Sequence, residues 1–303
     1  MGDAGGGRGG SLAVGTDCAW NDLTMQHIAI QGEPGSNSHL VVRENHPDAQ
    51  TVPCASFEEA FTRVTDGECE LAVIPIDNSL AGRVADIHHL LPASGLHIVG
   101  EHFLRIRFSL LGLPGATLDG VRTVASHVHA LGQCRRIIRE HGWDTVVAGD
   151  TAGAAREVAE AGDPARAALA PPLAAEIHGL QVLAEGVEDA AHNTTRFVVL
   201  SREAVVPPRD AGPLVTTFVF TVRNHPAALY KALGAFATSG INMTKLESYM
   251  LDGRFTATMF LAEVDGHPEE PALAGALEEL TFFTTETRVL GTYPASPWRD
   301  GRH

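Results

Sequence analysis

Short apolar runs alternate with amphipathic stretches from residue 27 to residue 200, and the alternation stops at one proline-rich segment. The apolar runs include His27–Ile30, Thr51–Cys54, Leu71–Ile76, Leu96–Glu101, Phe103–Leu113, Val121–Ala125, Val146–Ala148, Ala167–Ala170, Leu180–Ala184 and Val198–Leu200. Their length and β-favouring residues predict strands. Between them, Ser56-Phe57-Glu58-Glu59 matches a capping box and opens a helix to about Asp66. Further helices are predicted over Val128–Glu140, with Gln133 and Cys134 in the second turn, and over Ala152–Ala161, capped by Asp150-Thr151. This alternation predicts an α/β fold with parallel or mixed sheets, in two lobes with a cleft between them. The segment Ser201–Pro213 carries Pro207-Pro208 and Gly212-Pro213, a linker signature. Beyond it the order is strand Leu214–Val222, helix Pro226–Thr238, a hairpin about Asp252-Gly253, helix Pro271–Leu280 and strand Thr284–Tyr293. That order is βαββαβ, a ferredoxin-like domain. The expected boundaries are a disordered tail at 1–25, the two-lobed domain at 26–201, a linker at 202–213, the small domain at 214–294 and a tail at 295–303.

Charge narrows the function. The 303 residues carry a net charge of −15, which argues against a nucleic-acid partner. An anionic ligand must then be held by local arginines or free backbone N–H groups. No apolar run reaches the length of a membrane span. The Gly-rich start lacks the apolar core of a signal peptide, so a cytoplasmic enzyme is expected. Cys18, Cys54, Cys69 and Cys134 are scattered, with no C-x-x-C pair. His88-His89 and His127-x-His129 lack helical zinc spacing, so no metal site is expected.

Four stretches carry chemistry. His192-Asn193-Thr194-Thr195-Arg196-Phe197 runs into the buried Val198–Leu200 strand, so its polar groups sit at a rigid mouth. A Thr hydroxyl donates one hydrogen bond, and an Arg grips a carboxylate through two. Gln31–His39 is a Gly-containing loop between a strand and a helix, where free N–H groups take an anion. It is neither a G-x-G-x-x-G nor a P-loop. Asp77–Arg83 follows a buried strand at its carboxyl end, where α/β sheets gather ligands. Ser126-His127 also ends a strand. Each stretch also has a plainer reading, as turn or helix-cap residues.

Taken in order, Gly32-Glu33-Pro34-Gly35-Ser36-Asn37-Ser38-His39, Ile74-Pro75-Ile76-Asp77-Asn78-Ser79, Ser126-His127 with Gln133-Cys134, and Asn193–Phe197 resemble prephenate dehydratase with a C-terminal ACT regulatory domain. The resemblance covers about residues 27–294. It implies a periplasmic-binding-protein-like pair of lobes that converts prephenate to phenylpyruvate, with loss of water and carbon dioxide. An arogenate-preferring dehydratase and a non-catalytic two-lobed sensor are the alternatives. It places Thr195, Asn78, Gln133 and Ser126 in the catalytic set, and Arg196, Ser79, Phe197 and Ser38 against substrate. It implies no cofactor. It also implies L-phenylalanine as effector, at Asn224, Ala228, Leu229, Asn242, Glu247 and Ser248, and a homodimer or tetramer joined through ACT domains. Departures from the family pattern are Asp77 where Glu is usual, Ala227-Ala228-Leu229-Tyr230 for G-A-L-V, and Glu247-Ser248-Tyr249-Met250 for E-S-R-P.

Overall fold

The computed structural model describes residues 26–84, 87–250 and 257–300. The expected 1–25 tail and the Asp252-Gly253 turn lie outside them. The first lobe is formed by β1 (His27–Gln31), α1 (Asn37–Asn45), β2 (Gln50–Cys54), α2 (Phe57–Thr65), β3 (Leu71–Asn78), β4 (Gly82–Arg83), α3 (Ile87–Ala93) and β5 (His97–Arg105). The second contains β6 (Ser109–Gly112), β7 (Thr123–Ser126), α4 (Val128–Gln133), α5 (Arg135–His141), β8 (Asp144–Val147), α6 (Thr151–Ala161), β9 (Arg166–Ala170), α7 (Pro172–His178) and β10 (Gln181–Ala184). Strand β11 (Thr194–Ser201) then returns to the first lobe. The chain therefore crosses between lobes twice, as the two-lobed reading expects.

Local chemistry starts the helices where the sequence suggests. Ser36 accepts the His39 N–H and opens α1 earlier than the Leu40 start expected. Ser56 accepts the Glu59 N–H at α2, and Asp150 accepts the Gly153 N–H at α6. The predicted Val128–Glu140 helix is in fact two, broken at Cys134, so Gln133 ends the first.

The first sheet runs β2-β1-β3-β11-β5, with β4 on β3. Strand β11 is antiparallel to both neighbours, so the last strand of the two-lobed domain forms the sheet's interior. The second sheet runs β10-β6-β9-β7-β8. Two cross-lobe ion pairs, Glu33–Arg156 at 2.8 Å and Arg43–Glu176 at 2.9 Å, join the lobes. Between them Gly35, at φ +94°, lies so close to α7 that a Cβ would sit 2.8 Å from Ala174 Cα.

The C-terminal domain is β12 (Leu214–Val222), α8 (Ala228–Thr238), β13 (Met243–Met250), β14 (Ala257–Asp265), α9 (Pro271–Phe283) and β15 (Thr284–Pro294), in sheet order β13-β14-β12-β15. This is the ferredoxin-like order. Helices α8 and α9 cover one face through Phe218, Phe220, Phe236, Leu273 and Leu280. The other face lies on the first lobe, where Val215, Val219, Leu261 and Tyr293 join Ile74, Ile76, Val198 and Leu200 in one core. The approach is close enough that a Cβ on Gly291 would overlap the Ile98 carbonyl. Residues 295–300, expected as tail, fold back: Pro297–Asp300 is a 3-10 turn, Trp298 stacks on Phe103, and Arg299 bonds Glu101 and Glu263.

Candidate functional site

A cavity of about 630 Å³ lies between the lobes. The first lobe lines it with Ser36, Asn37, Ser38, Asn78 and Arg83; the second with His127, His129, Gln133 and Asp150; and the strand mouth with Asn193, Thr195 and Phe197. Apolar Phe57, Pro75, Ile106 and Phe108 complete the wall.

A β-bulge aims the polar groups. Thr195 pairs with Asn78 and Arg196 with Asp77, but Phe197 then pairs with Pro75, leaving Ile76 without an opposite residue. Ordinary alternation would send residues 75 and 77 to one face and 76 and 78 to the other. Instead Ile76 enters the core shared with the C-terminal sheet, Asp77 bonds a residue of that sheet, and Asn78 turns into the cavity beside Pro75. Pro75 has no N–H for the ladder, which suits it to the irregularity.

The hydrogen bonds fix each amide's orientation. Asn78 Oδ1 accepts the backbone N–H groups of Leu80 and Ala81, at 3.0 and 2.8 Å. Its Nδ2 must then face inward, where it donates to Asn193 Oδ1 at 2.7 Å and to Thr195 Oγ1 at 2.9 Å. Asn193 in turn donates from Nδ2 to Gln133 Oε1 at 2.6 Å. With its oxygen so engaged, Gln133 presents its amide N–H groups to the cavity. Thr195, accepting from Asn78, keeps its hydroxyl proton to donate. The floor is thus a set of aligned donors.

Anionic groups find further donors nearby. The N–H groups of Asn37 and Ser38 open α1 toward the cavity. Ser38 is buried there. His127 Nδ1 accepts the His129 N–H, so its neutral ring carries a proton on Nε2. Burial, and then His129, hold the His127 pKa below the ordinary value.

The structure brings Thr195, Asn78, Gln133, Ser38 and Phe197 together at this cavity. Three expected members are placed elsewhere. Arg196 follows Thr195 on a strand and points to the opposite face, where its Nε meets Glu101 at 2.7 Å, Nη1 meets Glu263 at 2.7 Å and Nη2 meets the Tyr293 hydroxyl at 2.9 Å. It is 6% exposed and holds no free face for substrate. Ser126 is fully buried and donates to the Leu169 carbonyl at 2.6 Å, joining β7 to β9. Ser79 lies outside the lining; it donates to the His192 carbonyl and accepts the Thr194 N–H, tying two loops. Asn193, Arg83, His127 and His129 were absent from the candidate set. Asn193 belongs to the same motif as Thr195, and Arg83 and His127 end the Asp77–Arg83 and Ser126-His127 stretches, so those signals were present; His129 has no motif of its own.

Of the expected effector residues, Asn224 is exposed before α8, and Ala228 and Leu229 begin that helix. Asn242 donates to Asp265 at 2.7 Å. Glu247 lies with Lys245 and Tyr249 toward the first lobe, while Ser248, next on the strand, is exposed.

Two α/β lobes closing on a donor-lined, partly apolar cavity define a site for a small oxygen-rich molecule. A family model described as prephenate dehydratase matches residues 28–205, and the chain belongs to that family. A relative from Komagataeibacter europaeus, a bifunctional N-acyl-homoserine lactone acylase/prephenate dehydratase, is 54% identical over 90% of this chain and 97% of its own. Arogenate dehydratase/prephenate dehydratase 1 of Arabidopsis thaliana is 36% identical, over 90% of this chain and 73% of its own. Among solved structures, prephenate dehydratase from Arthrobacter aurescens in complex with L-Phe superposes with a TM-score of 0.81 at 33% identity, covering 89% of this chain and 90% of that one.

Proposed function

We propose that the chain converts prephenate to phenylpyruvate in the inter-lobe cavity. The observation that carries this reading is the fixed relay from Asn78 to Thr195 and through Asn193 to Gln133. Prephenate needs its ring carboxylate released as carbon dioxide while its ring hydroxyl departs. The electron pair of the breaking C–C bond enters the ring and expels the hydroxyl oxygen, which ends as water after protonation. In this reading Thr195 donates a hydrogen bond to that oxygen as negative charge grows on it. A positioned donor of this kind contributes on the order of 10²–10³ in rate. Gln133 orients the same end of the substrate, and Ser38 with the α1 N–H groups holds a carboxylate. The apolar wall strips water from the leaving carboxylate, which favours its loss.

The test is incubation of purified protein with prephenate, with phenylpyruvate read by its absorbance in alkali. Absence of product would defeat the reading. Arogenate in the same assay, alone and in competition, decides substrate preference. The cavity is larger than a single-ring dicarboxylate fills, and the 54% identical relative is named for acylase activity as well. A second reading is therefore hydrolysis of N-acyl-homoserine lactones, tested by release of homoserine lactone.

The Arthrobacter protein is in complex with L-Phe, which supports phenylalanine as an effector; we read the C-terminal domain as an ACT domain and assign the effector to it. Phenylalanine binds this domain of a homodimer or tetramer and lowers activity, by favouring a less active lobe arrangement. Calorimetry with phenylalanine, and light scattering for the oligomer, test these points. A cytoplasmic location accords with a biosynthetic role, and no described helix is long and apolar enough to cross a membrane. Fractionation of cells tests that location.

A further inference from the structure

The strands that present Thr195 and Asn78 to the cavity present charge on their reverse side. Asp77 and Arg196, which face each other in the ladder, both point at the C-terminal sheet. There Lys245 of β13 sets its ammonium 2.5 Å from both Asp77 oxygens, with Glu247 at 3.2 Å. Arg196 approaches Asp77 from the other side, at 3.6 Å. The side chains are 12% exposed at Lys245 and 28% at Asp77, so the pair is partly shielded from water and salt.

We propose that Lys245 is a positioning residue for the reaction: from the C-terminal domain it clamps Asp77, and so holds the bulge that aims Asn78 at Thr195. The inference rests on the dehydratase reading for its catalytic part only. At the bulge, Ile76 has no opposite residue on β11, so on that side the ladder does not set the strand's rotation, and only the short β4 pairing and the Val84 N–H on the Ile76 carbonyl hold the other side. The carboxylate of Asp77, one residue from Asn78, is anchored by an ammonium whose own strand belongs to another domain. Loss of that anchor frees the strand to relax toward ordinary alternation, which turns the Asn78 amide from the hydroxyl it orients.

The test compares wild type with Lys245→Met by crystallography and by prephenate kinetics. In the variant the Asn78 Nδ2 to Thr195 Oγ1 separation is expected to grow from 2.9 Å to beyond hydrogen-bond range. Its kcat should fall about tenfold or more, with KM within about threefold, since only orientation at the reacting oxygen is lost. Asp77→Asn should give the same phenotype, and the double variant should lose no more than either single. Should Lys245→Met fail to fold, Lys245→Gln carries the same expectations. An unchanged Asn78–Thr195 contact, an unchanged kcat, or losses that multiply in the double variant each overturn the proposal. If wild type turns over no prephenate, the dehydratase reading fails, and the crystallographic comparison still decides whether Lys245 holds Asn78.

Discussion

Replacing Arg196 with methionine separates a structural arginine from a substrate-gripping one. The guanidinium joins Glu101, Glu263 and Tyr293 at 2.7–2.9 Å, inside a cluster that also holds Asp77, Lys245 and Arg299. Burial opposes the Arg196 charge, but Tyr293, Glu263 and Glu101 outweigh it and raise its pKa. Burial likewise opposes the Glu263 charge, yet Arg196 and Arg299 hold its pKa below the ordinary carboxylate value. Methionine keeps most of the stem's packing and removes the charge, leaving carboxylates in excess. Removing one partner of a buried pair costs about 3–5 kcal/mol. Arg299 still reaches Glu101 and Glu263, at 2.7 and 2.9 Å, which argues for the lower end, about 3 kcal/mol. In a chain of 303 residues that lowers the melting temperature by roughly 5 °C. Thermal melting followed by circular dichroism measures the shift, and prephenate kinetics below the transition measure KM. The expectation is a drop of this size in melting temperature with KM nearly unchanged. A variant that melts like wild type and raises KM tenfold would refute the placement of Arg196 and return it to the cavity.

Thr195→Val keeps shape and removes the donor, so kcat should fall by about 10²–10³ in the prephenate assay, with little change in melting. Ala227 opens α8 at φ +63°, where the family pattern has Gly; Ala227→Gly relieves that conformation, less the chain entropy it adds, and should raise stability by about 0.5–1 kcal/mol in urea titration. Burial, and then His46, push the His102 pKa from 6.5 down to about 4. The unfolded chain therefore takes up this proton first, and stability falls as pH drops below 6.5. From there to about pH 5 the loss due to this ring is roughly 2 kcal/mol, and His102→Gln should flatten that part of the pH profile.

The strand and helix order was legible because burial imposes period 2 or 3.6 on apolar residues, and the Pro/Gly linker interrupts both. The cavity's Thr195, Asn78 and Gln133 were legible through their motifs. Arg196 was misplaced although alternation alone separates it from Thr195: two consecutive strand residues face opposite ways. Ile76 and Asp77 defeat the same rule by sharing a face, because the extra residue at Ile76 is set by pairing with β11, over a hundred positions away. Ser126 ends its strand as predicted, but its hydroxyl goes to Leu169, a partner decided by which strand lies alongside. The fold-back of residues 297–300 depends on Glu101 and Phe103, and nothing local to that segment announces them.

Strand β11 occupies the interior of the first sheet, yet it is made after the whole second lobe. During synthesis the nascent first lobe therefore waits with β3 and β5 apart and both inner edges unpaired. Such edges invite wrong partners. Thr195 arrives on the very strand that seals the gap, so the reactive centre cannot assemble before its host is whole, and fragments ending ahead of residue 194 lack both.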